Sequence, residues 1–130
     1  MIRRCIAVAV LAIPAGCGLN VRSADLFVLT RTGSGPTLTA LLNDGGTIRC
    51  NGGAAKPLAD KLLLEARDLA NKLDSDVKSK LHVTPVGRVY SYSVKLKDGM
   101  LRFGDTAAAG HSELGQTELL AVELADGPCR

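Results

Sequence analysis

The sequence has no tryptophan, and its only aromatic residues are Phe27, Phe103, Tyr90 and Tyr92. The core must therefore be built from Leu, Val and Ala, and a nucleic-acid surface would have few rings for stacking bases. A basic excess is also missing. The formal net charge is +3, but Arg3 and Arg4 precede every acid, and without them 14 basic residues face 13 acidic ones. Composition thus argues against a nucleic-acid partner. No Cys-x-x-Cys or His-x-x-His spacing exists to hold a metal. No Gly-x-Ser-x-Gly surrounds a serine, and the phosphate-binding loop with its lysine–hydroxyl pair is absent. Beyond the first residues no apolar run approaches the roughly 20 residues that a membrane-spanning helix needs. There is no internal repeat. No cofactor is indicated.

What the chain does have is an export signal in residues 1–16. Arg3 and Arg4 precede the apolar run Cys5–Ile13, and Pro14, Ala15 and Gly16 lead into Cys17. That order is a secretory leader, and the Ala-Gly-Cys ending is that of a bacterial lipoprotein. In this reading Cys17 receives a diacylglyceryl group and becomes the new N-terminus, a two-chain anchor sufficient for stable attachment. Pro14 stands where such signals usually carry an aliphatic residue. The alternative is an ordinary secretory leader cut near Ala15, with Cys17 a free thiol. The arginine pair lacks the wider consensus of the twin-arginine route, so general secretion is expected. Either way the destination is the outer face of the cytoplasmic membrane or the medium.

Removing the leader also simplifies the cysteines. Cys5 leaves with it and Cys17 is the lipid acceptor, so Cys50 and Cys129 remain. An even pair in an exported domain is expected to form one disulfide.

Residues 17–24 read as a tether and residues 25–130 as one α+β domain. Asp25–Arg31 and Thr37–Asn43 are rich in β-formers and flank the turn Thr32–Pro36. Asn43-Asp44-Gly45-Gly46 tolerates the positive φ of a tight hairpin, and Thr47–Cys50 returns as a third strand. Leu58, Leu62, Ala66, Leu69, Ala70 and Leu73 recur at helical spacing, which predicts a helix over about 57–74 with Pro57 in its first turn. Alternation over 88–96, the turn Lys97-Asp98-Gly99 and the run 100–103 predict a second strand pair. Ser112 is placed to cap a last helix over roughly 113–125, ending at Gly127 before Pro128; a strand over 118–124 is the alternative. The expected architecture is an antiparallel meander sheet of about five strands, packed by a central helix and a C-terminal helix.

Few residues suggest chemistry. His82 and His111 lie in loops without a second ligand at a diagnostic spacing. Ser112, His111 and Asp105 make a nucleophilic trio on paper, but seven serines beyond the leader make such a choice easy. Gly104-Asp105-Thr106 could ligate a cation, though Asp105 fits a turn-closing role better. Asn51-Gly52-Gly53 could cradle a phosphate, and fits a structural loop beside the disulfide better.

The blocks GGTIRCNGG, KPLADKLLLEARDLANKL and YSYSVKLKDGMLRFGDT, with a cysteine near the end, resemble a family of small, uncharacterised actinobacterial lipoproteins. The likeness covers most of residues 25–130 and implies a strand meander, a helix, a strand pair and a C-terminal segment. It implies no activity. A fainter similarity is to subtilisin-inhibitor-like proteins, which are also small, secreted and disulfide-bonded. Those normally have two disulfides, one bracing the reactive loop, whereas this chain has one available pair. The expected function is a non-catalytic envelope lipoprotein that binds a protein or cell-wall partner, membrane-attached through Cys17. A secreted protease inhibitor and a small hydrolase are the rival readings.

Overall fold

The computed structural model describes residue 21 and residues 24–130. The expected export signal, Cys17 and most of the expected tether lie outside the described residues. Six strands form one antiparallel sheet: β1 (Asp25–Gly33), β2 (Leu38–Asn43), β3 (Thr47–Cys50), β4 (Ala55–Pro57), β5 (Tyr90–Leu96) and β6 (Gly99–Gly104), in the spatial order β4-β3-β2-β1-β5-β6. Helix α1 (Asp60–Lys78) joins β4 to β5, a 3₁₀ turn covers Asp105–Gly110, and helix α2 (Ser112–Asp126) follows. The fold is α+β, as the residue pattern implies.

One face of the sheet is apolar because alternate residues point to it. Phe27 and Leu29 of β1 stand opposite Leu42 and Ala40 of β2, and Val94 of β5 stands opposite Leu101 of β6. Onto this face the helices press Ala66, Leu69 and Leu73 from α1 and Leu114, Leu120, Ala121 and Leu124 from α2. With no indole available, the largest stack is Tyr92 on Phe103, ring centroids 5.1 Å apart. Thr117 is the one polar residue in the core among the described residues, and its hydroxyl donates to the Glu113 carbonyl at 2.8 Å.

Three expectations change. The sheet has a sixth strand, β4, whose three exposed residues lack the alternation that marks a longer strand. Pro57 belongs to that strand rather than to the helix; β4 is at the sheet edge, where a missing N–H costs no ladder bond. The Leu58 N–H donates to the Gly46 carbonyl at 2.9 Å and turns the chain, so α1 begins at Asp60 and runs on to Lys78. Finally, the expected C-terminal helix forms, but Ser112 is its first residue rather than its cap, and no side chain caps it.

Cys50 and Cys129 are joined by a disulfide, with Cα atoms 5.3 Å apart and a sequence separation of 79. It ties the end of α2 to β3, and the Lys56 Nζ adds a hydrogen bond to the Pro128 carbonyl at 3.2 Å.

Candidate interaction surface

Between α1 and β5 the segment 79–89 runs along the outer edge of β6, and it is held at several points. Lys80 adopts a left-handed φ of 58° as the chain leaves α1. The Gly104 N–H donates to the Thr84 carbonyl at 2.8 Å, which blunts an otherwise open sheet edge. The Gly87 N–H donates to the Ser91 hydroxyl at 3.0 Å. The carboxylate of Asp105 then accepts three consecutive backbone N–H groups, from Arg88 at 2.9 Å, Val89 at 2.8 Å and Tyr90 at 3.1 Å. The Val89 carbonyl accepts from the Ser34 N–H at 3.0 Å, which locks the loop to the β1–β2 turn.

Two glycines make this close approach possible. A Cβ on Gly104 would lie 2.6 Å from the Gly87 Cα, so the backbones pass where no side chain fits. The hydrogen bonds from Val89, Arg88 and Tyr90 hold the Asp105 carboxyl below the usual carboxylate range. It is therefore an anion across the ordinary pH range and keeps its grip on the loop.

The braced loop displays apolar and cationic groups to solvent. Val86 is 70 % exposed and Val89 51 % exposed, with Arg88 between them also exposed. Beside it, Leu81, His82, Val83, Pro85, Met100 and Arg102 line an open groove of about 370 Å³. Where the loop enters β5, the Arg31 guanidinium lies 4.5 Å from the centre of the Tyr90 ring. Burial, helped by Glu118, raises the Tyr92 hydroxyl to about 12, and burial together with Asp105 raises the Glu118 carboxyl. Sequence reasoning missed the loop as a unit, because its brace comes from a residue 15 to 17 positions away.

Of the residues considered for catalysis, Asp105 and His111 are engaged with other groups. Both Asp105 oxygens face loop amides, while the His111 Nδ1 lies 3.8 Å from Glu113 Oε1. Asn51 is in a left-handed turn at φ 52°, and its side-chain oxygen accepts from the Thr39 N–H at 2.8 Å, so the Asn51-Gly52-Gly53 segment serves the sheet. It also precedes β4 and not a helix. Among the described residues no group of three His, Cys, Asp or Glu side chains is placed to hold a metal ion.

A second feature escaped the sequence. Across the α1–α2 seam, the Asp76 carboxyl interacts with that of Glu113 and the Glu65 carboxyl with that of Glu123. Burial and the neighbouring Glu113 carboxyl push Asp76 up to about 6. Burial also works to raise Glu113, but the neighbouring Asp76, its own backbone, His111 and Lys72 together bring it down. Burial and Glu123 raise Glu65, against Lys61. Between the pairs, Glu65, Asp68, Leu69, Gln116 and Leu119 line a groove of about 250 Å³. The clue was periodic: Glu65 and Asp76 stand three helical turns apart on one face of α1.

The disulfide belongs to an oxidising environment outside the cytoplasm. No helix among the described residues is long and apolar enough to cross a membrane. No protein-family model, no curated protein and no solved structure matches the chain.

Proposed function

We propose that this chain is an exported, non-catalytic binding domain that presents the loop around Val86–Val89 to a protein partner in the cell envelope. One observation carries the reading: a carboxylate fixes three consecutive amides of a loop whose apolar side chains remain exposed. A loop already held in one shape loses little conformational entropy on binding, so its contacts translate into affinity. Attachment to the outer face of the membrane through Cys17 would keep the domain near such a partner.

The test is a photo-crosslinking amino acid placed at Val86 in the producing cell. One discrete adduct from Val86, absent when the probe is at exposed Leu64 on α1, supports the proposal. Equal labelling from both positions, or none from Val86, contradicts it.

The same loop favours a second reading, a secreted inhibitor of serine proteases. Such inhibitors hold a rigid, solvent-exposed segment in the protease cleft, and here Asp105 supplies rigidity where those proteins use a disulfide. Assays of the purified protein against subtilisin and trypsin test it. Absence of inhibition at a large molar excess removes it and leaves the first reading intact.

A further inference from the structure

The overall charge hides a strong segregation between the two layers of the fold. Helices α1 and α2 together contain nine acidic residues (Asp60, Glu65, Asp68, Asp74, Asp76, Glu113, Glu118, Glu123, Asp126) and four basic ones. The six strands contain five basic residues (Arg31, Arg49, Lys56, Lys95, Arg102) and one acid, Asp25. Both helices lie on the apolar face, so the opposite face of the sheet is uncovered among the described residues.

The strand register shows what that open face displays. One row across the sheet reads Thr39, Thr30, Ser93, Arg102. The next reads Arg49, Leu41, Val28, Lys95, Met100. Arg49 and Lys95 are three strands apart, about 14 Å at the usual spacing, and Arg102 extends the track to the last strand. Arg49 and Arg102 are exposed, and neither row contains an acid. Asp25 sits at the far end of β1, where Asn43 Nδ2 donates to it at 3.0 Å.

We infer that this open face binds a linear anionic carbohydrate polymer, with Arg49, Lys95 and Arg102 meeting its charges and Thr30, Thr39 and Ser93 its hydroxyls. Charge complementarity selects a polyanion. The described aromatic residues select against nucleic acid, because Phe27, Tyr92 and Phe103 are buried on the other face and Tyr90 lies under Arg31. No ring is left for base stacking, whereas a hydroxyl-lined sheet can exchange hydrogen bonds with a sugar chain. This surface shares Met100 and Arg102 with the groove beside the Val86–Val89 loop but uses none of the loop's own residues, so the inference stands whether or not the loop has a protein partner.

Heparin, as a sulfated polysaccharide, serves as the probe with the purified protein. The protein is expected to bind it in a salt-dependent way, and the triple variant Arg49→Ser, Lys95→Ser, Arg102→Ser to bind about tenfold more weakly or worse, a loss of at least about 1.4 kcal/mol. A control triple on α1 (Lys61→Ser, Lys72→Ser, Lys78→Ser) removes the same charge and should bind within about twofold of the parent protein. Thr30→Glu, which leaves every cation in place, should also weaken binding by placing a like charge in the centre of the track. Thermal melts check that each variant is folded. Three outcomes overturn the inference: no binding of heparin, equal loss in both triples, or equal affinity for a single-stranded oligonucleotide of the same charge.

Discussion

Replacing Cys50 and Cys129 together by serine opens a loop whose ends are 79 residues apart in sequence. In the chain-entropy treatment, closing such a loop removes about 4.5 kcal/mol of freedom from the unfolded chain. A domain of this size is stable by only about 5–15 kcal/mol, so the bond is a large share of the margin. Divided by an unfolding entropy of roughly 0.2 kcal/mol/K, the loss corresponds to a fall of about 20 °C in Tm. The loss should not be uniform. The bond joins the end of α2 to β3, so amides near Leu124 should lose protection before those of β1 and β5 in the centre of the sheet. Denaturant titration of parent and double variant gives the energy, and hydrogen exchange gives its location. A loss below about 1 kcal/mol, or uniform loss of protection, would refute the idea that this bond secures the C-terminal helix.

The remaining predictions concern the loop, the seam and the core. Asp105→Ala should speed amide exchange at Arg88, Val89 and Tyr90 selectively; unchanged exchange would remove Asp105 as the brace. Because its folded pKa is lowered, its stabilisation is fully present above the ordinary aspartate range and is lost only as pH falls through the lower folded value. Gly104→Ala forces a Cβ into the Gly87 backbone and should cost about 1–3 kcal/mol while displacing the loop, a shift that NMR of Val86 would detect. Asp76 behaves in the opposite sense to Asp105: its raised pKa means that the folded state holds a proton which the unfolded chain releases, so its contribution to stability falls as pH rises from about 4 to 6. Asp76→Asn should flatten that fall; a pH dependence as steep as the parent's would contradict the raised Asp76 pKa. Phe103→Ala, which removes a fully buried ring stacked on Tyr92, should cost about 3–5 kcal/mol in denaturant midpoint analysis.

The parts of the fold that could be read from residues alone are those fixed by local periodicity. Alternation in β1, β2 and β5 and the leucine spacing of α1 are signals within one element, and turn residues such as Asn43-Asp44-Gly45-Gly46 mark the joins. The cysteine pair could be inferred by counting once the leader was set aside. What escaped depends on contacts distant in sequence. Strand β4 is too short to alternate and exists because β3 offers it an edge. Pro57 fits a first helical turn as well as an edge strand, and the Leu58–Gly46 bond decides between them. Asp105 looks like any turn aspartate until β6 delivers it to the loop. The basic sheet face could not be seen in a near-neutral total, because segregation by layer requires the layers.

We propose an exported domain held at the membrane, and the structure closes it with one disulfide. Intact mass of the protein extracted from the membranes of its native cell tests it most directly. The predicted species begins at Cys17, carries a diacylglyceryl group and lacks two hydrogens for the Cys50–Cys129 bond. A soluble, full-length chain with free thiols at Cys50 and Cys129 would contradict it.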